Sequence, residues 1–306
     1  MNKITIVGAG RVGESTAANL AKAQLCKEVV LIDIVKGMPQ GTALDILESA
    51  PQFGFDTKLS GSNDMTAMEG SELIIITAGL PRKPGMSRSD VLDTNVNILN
   101  GIVDIMVKVA PEAMCIIVTN PVDILTYNTW KRTGWPRNRV LGMAGVLDSS
   151  RMASFVAMET GFSVKDINAM VLGGHGDTMV PMTRFTTING IGVKHFLDEK
   201  KIEEIVQRTR QGGAEILALK QNSSAYDAPA AAIAAMVSAI SRDRKRILPC
   251  VAALEGEYGE KDICMGVPVV LGKDGMERII ELDLTEAESA NFASTIAAIR
   301  EDIARL

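Results

Sequence analysis

Apolar residues in the first half of the chain gather into short runs, at Ile4–Val7, Val29–Ile34, Leu73–Ala78, Cys115–Thr119 and Val140–Leu141. Between several of them the spacing changes to a helical one, as over Glu14–Ala23 and Val91–Val109. Strands that are apolar on both faces and alternate with helices imply a parallel sheet covered on both sides, with right-handed crossovers. The second half has another rhythm. Met179–Val193 reads as strand, turn and strand about Asn189-Gly190, and long helices follow over 198–221 and 227–242. Short strands are expected at Val251–Glu255 and Val267–Leu271, with a turn at Lys273-Asp274-Gly275. Phe292, Ile296, Ile299, Ile303 and Leu306 recur at spacings of three and four, which predicts a closing amphipathic helix. No repeat or flexible linker interrupts the pattern. The predicted class is α/β: a parallel sheet of the doubly wound kind over 1–143, then an α+β domain over 144–306.

Composition narrows the partners. A net charge of -5 without a basic block disfavours nucleic acid and membrane surfaces. Cys26, Cys115, Cys250 and Cys264 are scattered, with no Cys-x-x-Cys pair, so neither a zinc site nor a dithiol motif is indicated. They read as apolar fillers in a reducing compartment. The chain enters a strand pattern at once, at Lys3–Val7, with no secretory signal. The apolar stretch from Ala228 to Ile240 is too short to span a bilayer and suits a buried helix with Pro229 in its first turn. The expectation is a cytoplasmic protein.

Gly8-Ala9-Gly10-Arg11-Val12-Gly13 follows the first strand and opens a helix. Gly8 would permit the tight turn, Gly10 the approach of a pyrophosphate, and Gly13 the close packing of helix on strand. Asp33 stands twenty residues past Gly13 at the end of the second strand, where it can accept from the ribose hydroxyls of NAD and repel the 2′-phosphate of NADP. Ile34 and Val35 are apolar, and Lys36 is the nearest cation. Flavin and S-adenosylmethionine sites reuse the same turn.

Two histidines simplify the search for a base. His195 precedes a polar helix and reads as a surface residue. His175 lies in Gly173-Gly174-His175-Gly176-Asp177, where the glycines would leave room for a substrate. Leu147-Asp148-Ser149-Ser150-Arg151 starts a helix with Asp148 as a cap; Asp148 and Arg151 share a face, which is also what a simple surface ion pair looks like. Asn120-Pro121 ends the fourth strand, at the sheet edge where ligands bind, with a bond that Pro121 allows to be cis. Arg82, Lys83 and Arg88 fall within seven residues broken by Pro84 and Gly85; alone, that run equally describes a solvated basic loop.

Taken together, the motifs at 8–13, 81–88 (Pro-Arg-Lys-Pro-Gly-Met-Ser-Arg), 119–123 (Thr-Asn-Pro-Val-Asp), 147–151 and 173–177 occur in the order found in lactate/malate dehydrogenases, and the chain resembles that family over nearly its whole length. The pattern is most similar to the prokaryotic, lactate-dehydrogenase-like malate enzymes. The resemblance implies NAD-dependent hydride exchange with a 2-hydroxy acid. It makes His175 the acid/base, Asp148 its orienting partner, Arg151 the clamp on the C1 carboxylate, and Arg88 the group that polarises the reacting carbonyl. Asn120 would touch the reacting oxygen or the nicotinamide region. Ala9, Arg11 and Val12 join the three glycines and Asp33 as cofactor contacts, as do Asn95, Thr119 and Asn120. Arg82 matches the position that reads the distal group of the substrate, glutamine in typical lactate dehydrogenases and arginine in malate dehydrogenases, so the implied substrate is a dicarboxylate. A homodimer or homotetramer is implied as well.

Overall fold

Six of the predicted and unpredicted strands of the first half line up side by side, and the second half extends the same sheet. A computed structural model describes the backbone of residues 1–80, 88–221 and 223–306, and the side chains of all of these except 88–90. The first half runs β1 (Lys3–Val7), α1 (Arg11–Lys22), β2 (Glu28–Ile32), α2 (Met38–Glu48), α3 (Ala50–Phe53), β3 (Lys58–Ser62), β4 (Leu73–Ile76), α4 (Arg88–Val109), β5 (Met114–Ile117), α5 (Val122–Thr133) and β6 (Val140–Gly142). The second half runs α6 (Gly145–Thr160), β7 (Ile167–Asn168), β8 (Val171–Leu172), β9 (Val180–Pro181), β10 (Thr187–Ile188), β11 (Ile191–Gly192), α7 (Glu199–Lys220), α8 (Asp227–Ser241), β12 (Arg246–Glu255), β13 (Lys261–Gly272), β14 (Gly275–Ile279) and α9 (Glu286–Ile303).

The order across the main sheet is β14-β13-β12-β6-β5-β4-β1-β2-β3. The strands from β3 to β6 pair in parallel, whereas β12, β13 and β14 pair antiparallel, and β12 meets β6 through Val251 and Gly142. The chain therefore leaves β1 toward β2 on one side and later crosses to β4 on the other. A crevice opens at the carboxyl ends of β1 and β4, where the connections part.

Apolar burial explains the order. Every residue of β4, Leu73 to Ile76, is fully buried, as are Ile4, Ile6 and Val7 of β1. One face of the sheet packs on α1 and α8, with Leu20, Ala21, Ile233 and Val237 in that core. The other face packs on α4 and α5, through Leu99, Val103, Met106 and Leu125. A smaller core joins α6 to α7 through Met152, Val156, Ile205 and Val206.

Asn189 and Gly190 both have positive φ, 48° and 81°, and join β10 to β11 as a tight hairpin. The stretch from Met179 is less regular than the sequence implies: β9 is followed by a 3-10 turn at Thr183–Phe185 before β10. The last helix ends at Ile303, and Leu306 lies exposed beyond it rather than on its apolar face. All four cysteines are free and buried. Among the described residues, no helix is long and apolar enough to cross a membrane.

Candidate active site

The turn that closes β1 fits a dinucleotide. Gly8 sits at φ 109°, and a Cβ there would meet the Ala78 nitrogen and Thr77 Oγ1 at 2.6 Å. A Cβ on Gly13 would fall 1.9 Å from the Gly8 carbonyl oxygen, so α1 rests directly on the turn. Gly10, the N-cap of α1, has open space around its Cβ position and offers no side-chain cap. The first-turn N–H groups and the positive end of the helix dipole of α1 are thus available to an anion, as a pyrophosphate would require. Ala9 is buried and Val12 half-buried, while the Arg11 guanidinium lies over the Tyr226 ring, 5.6 Å from its centre.

Asp33 stands just past β2. Its Oδ2 accepts from the Ala9 N–H at 2.8 Å and its Oδ1 from the Val35 N–H at 2.9 Å. The carboxylate is therefore locked against the glycine turn, where its remaining lone pairs are placed to meet a ribose diol. Ile34, 85% exposed, and Val35 flank it.

A Gly13→Ala substitution should raise the Kd for NADH by tenfold or more, order of magnitude, and lower stability by about 1–3 kcal/mol, because the turn must shift to admit the methyl group. Fluorescence titration with NADH and a thermal melt would reveal it. An unchanged Kd and melting temperature would refute the packing role.

The crevice itself is a cleft of about 660 Å³. Val12, Thr77, Gly79, Thr119, Asn120 and His175 line it. A second pocket of about 220 Å³ adjoins it, sharing Asn120 and His175 and adding Arg151. Asn120 follows β5 and is exposed, and its peptide bond to Pro121 is cis. Thr119 and Asn95 reach the cleft with their polar atoms already engaged. Thr119 Oγ1 donates to the Ala78 carbonyl at 2.7 Å. Asn95 accepts from the Leu80 N–H at 2.8 Å and donates to the carbonyls of Leu80 and Asn120. Both side chains thus hold together the loops that shape the cleft.

His175 is fixed from several sides. Gly173 bridges to Gly266 on β13 through two backbone hydrogen bonds of 2.8 and 3.0 Å. A Cβ on Gly266 would lie 2.5 Å from the Gly173 oxygen, so this close approach needs glycine there. The His175 N–H then donates to Asp123 Oδ2 at 2.9 Å, and its Nδ1 lies 2.8 Å from Asp148 Oδ2. Asp148 Oδ1 accepts from Arg151 Nη1 at 3.0 Å. A carboxylate bonded at Nδ1 selects the tautomer that leaves Nε2 free to exchange a proton with substrate. Burial disfavours the charged imidazole, but the Asp148 carboxylate beside it outweighs this and raises the histidine above its ordinary pKa.

Three readings from sequence change here. Asp148 does not cap α6: the helix begins at Gly145 after Ala144, without a side-chain cap, and the carboxylate turns inward to His175 and Arg151. The pair is no surface contact, since Asp148 is only 1% exposed. The sequence motif alone does not single out Asp123, although an acidic residue set among the apolar Val122, Ile124 and Leu125 at the start of a helix is a usable signal. Arg82 lies outside the described residues. Arg88 begins α4, and its side chain lies outside them too. His195 is exposed and far from this chemistry in the sequence of elements.

The sequence itself has close kin. Residues 2–142 match the lactate/malate dehydrogenase NAD-binding domain, and residues 145–306 match the α/β C-terminal domain of the same proteins. A curated malate dehydrogenase of Thioalkalivibrio sulfidiphilus is 67% identical over 306 residues, covering 100% of both chains. The solved malate dehydrogenase of Salinibacter ruber superposes with a TM-score of 0.94 at 47% identity, covering 98% of this chain and 96% of that one. The lactate dehydrogenase of Cryptosporidium parvum, solved with lactic acid and nicotinamide adenine dinucleotide, gives 0.94 at 40% identity over 99% and 96% of the two chains. With a glycine turn built for a dinucleotide in one half and a buried histidine–aspartate–arginine array in the other, the chain belongs to the lactate/malate dehydrogenase family.

Proposed function

We propose that the chain is an NAD-dependent malate dehydrogenase that interconverts (S)-malate and oxaloacetate, with His175 as acid/base. The observation that carries the chemistry is the array at the junction of the two pockets: His175 and Arg151 joined through one buried carboxylate, Asp148. Full-length identity of 67% to a malate dehydrogenase supports the choice of substrate.

When bound, NAD supplies the hydride acceptor for C2 of malate; the glycine turn and Asp33 would hold it. In that direction, neutral His175 removes the hydroxyl proton through Nε2, and Asp148 stabilises the imidazolium that forms. Arg151 has Nη1 committed to Asp148, while its buried Nε has no partner among the described residues, so donors remain for the C1 carboxylate. In the reverse direction the imidazolium returns its proton to the nascent alkoxide. Arg88 supplies positive charge near that oxygen, and Asn120 orients it. Arg82 pairs with the distal carboxylate. A desolvated guanidinium facing the methyl group of pyruvate would be left unpaired, a cost of several kcal/mol, on the order of 10³-fold in selectivity.

Steady-state NADH oxidation with oxaloacetate and pyruvate in parallel, repeated with NADPH, tests this reading. The expected result is a kcat/KM for oxaloacetate about 10³-fold above that for pyruvate, with NADH strongly preferred. Faster turnover of pyruvate would keep the family and discard the substrate. A homodimer or homotetramer completes the proposal. Exposed Leu44 and Leu47 on α2, and Leu217 and Leu219 on α7, offer apolar surface for contact between copies. The buried, unpaired thiols suit a reducing cytoplasm.

A further inference from the structure

His175 is held by two carboxylates, not one. Asp123, in the first turn of α5, is 6% exposed and accepts the His175 N–H on Oδ2 at 2.9 Å. Its Oδ1 is buried and, among the described residues, has no hydrogen-bond partner. Leaving a carboxylate oxygen unsatisfied in the interior is costly, and a neutral asparagine would make the same backbone bond more cheaply. The backbone contact alone therefore does not account for an acid at this position.

The charged surroundings of the imidazole give the reason. Burial opposes protonation of His175 most strongly, and Arg151, from α6, opposes it further. Asp148, also from α6, and Asp123, from α5, favour it. Asp177, two residues along, and Asp302 of α9 line the same cleft. Cys264 of β13 lies behind Asp123, and burial keeps its thiol neutral, well above its ordinary value. Once the ring is protonated, one carboxylate shared between an arginine and a histidine leaves the trio with a net positive charge, which a second anion offsets.

We propose that Asp123 is a second positioning carboxylate, which anchors the backbone of His175 and supplies the negative charge that keeps its ring protonated for oxaloacetate reduction. This rests on His175 being the acid/base of the proposed reaction. Asp123 itself is pushed up to about 6, by burial first and against the bond from the His175 N–H. The pair should consequently titrate together, each proton felt by the other.

The chain has only two histidines, so nuclear magnetic resonance of the ring protons in the cofactor-free protein reads His175 directly, with exposed His195 as internal reference. In the parent, His175 should show two steps, one of them near the Asp123 value of about 6. Asp123→Asn keeps an oxygen for the backbone bond and removes only the charge. It should abolish the second step and lower the His175 midpoint by about one pH unit. It should also cut kcat/KM for oxaloacetate about tenfold at pH ~8 while sparing it near pH ~6. A single-step parent curve, or a midpoint unmoved in Asp123→Asn, would overturn the proposal; uniform loss of rate at every pH would reduce Asp123 to a structural anchor and overturn it too. Because the titration needs no turnover, a coupled pair in a protein inactive on oxaloacetate would sink the proposed reaction and leave the pairing intact.

Discussion

Replacing Asp148 by asparagine should lower kcat for oxaloacetate reduction by about 10³–10⁴-fold while leaving NADH affinity near that of the parent. The carboxylate accepts two hydrogen bonds at once, from Arg151 Nη1 at 3.0 Å and from His175 Nδ1 at 2.8 Å, in a site 1% exposed. A carboxamide has one oxygen. Whichever neighbour receives it, the amide N–H₂ then faces the other. Turned toward Arg151, it sets donor against donor. Turned toward His175, it demands the tautomer with the proton on Nε2, which cannot act as base toward malate.

The sign of the pH effect follows from the same contacts. In the proposed reaction, reduction uses protonated His175, so activity should fall as pH rises through the histidine's pKa. Burial lowers that pKa, and Asp148 holds it above the ordinary value. Without the charge, burial prevails, and the falling limb moves to lower pH. Stopped-flow measurement of the hydride step across pH would reveal both effects. Retention of kcat within tenfold of the parent, with the limb unmoved, would remove Asp148 from the mechanism.

The second large effect concerns choice of substrate. Arg82→Gln should invert the preference, lowering kcat/KM for oxaloacetate by about 10³-fold and raising it for pyruvate. Glutamine is neutral, so facing a methyl group no longer strands a desolvated guanidinium, and it lacks the fork that grips a carboxylate. Parallel assays of the two keto acids against the variant and its parent decide the matter. A variant that keeps the parental ratio would mean that Arg82 does not read the distal group.

Much of the parallel sheet is legible because its strands are buried on both faces and so appear as unbroken apolar runs, as at Ile4–Val7 and Leu73–Ile76. Elements without that pattern escape notice. β3, Lys-Leu-Ser-Gly-Ser, is an edge strand with one buried residue, and its Gly61 is there because the backbone of α2 passes within 2.2 Å of a would-be Cβ. α2 begins after Gly37 at φ 81° with Pro39 in its first turn, a start that reads as a loop. β12 and β13 are ten and twelve residues long, but Pro249, Gly266 and Pro268 break their pattern, and only their apolar ends resemble strands. Pro249 and Pro268 sit opposite one another in the pairing, a compensation that no single segment displays. The site divides in the same way. His175, Asp148 and Arg151 stand in local motifs with recognisable company. Asp123 meets His175 only through packing between segments 52 positions apart, which no local motif displays.

The seam between β6 and β12 bears on how such a protein diversifies. One continuous sheet runs under both the nucleotide crevice and the segment that carries His175, stitched where Gly142 faces Val251 and where Gly173 meets Gly266. A shared floor of this kind opposes a clamshell motion of two lobes. The distance from the glycine turn to the imidazole is set by strand spacing, a quantity almost insensitive to surface change. Selection for a new hydroxy acid therefore works with a fixed ruler: it can exchange the side chains that read a substrate's far end, the role proposed for position 82, without disturbing the span across which hydride must pass.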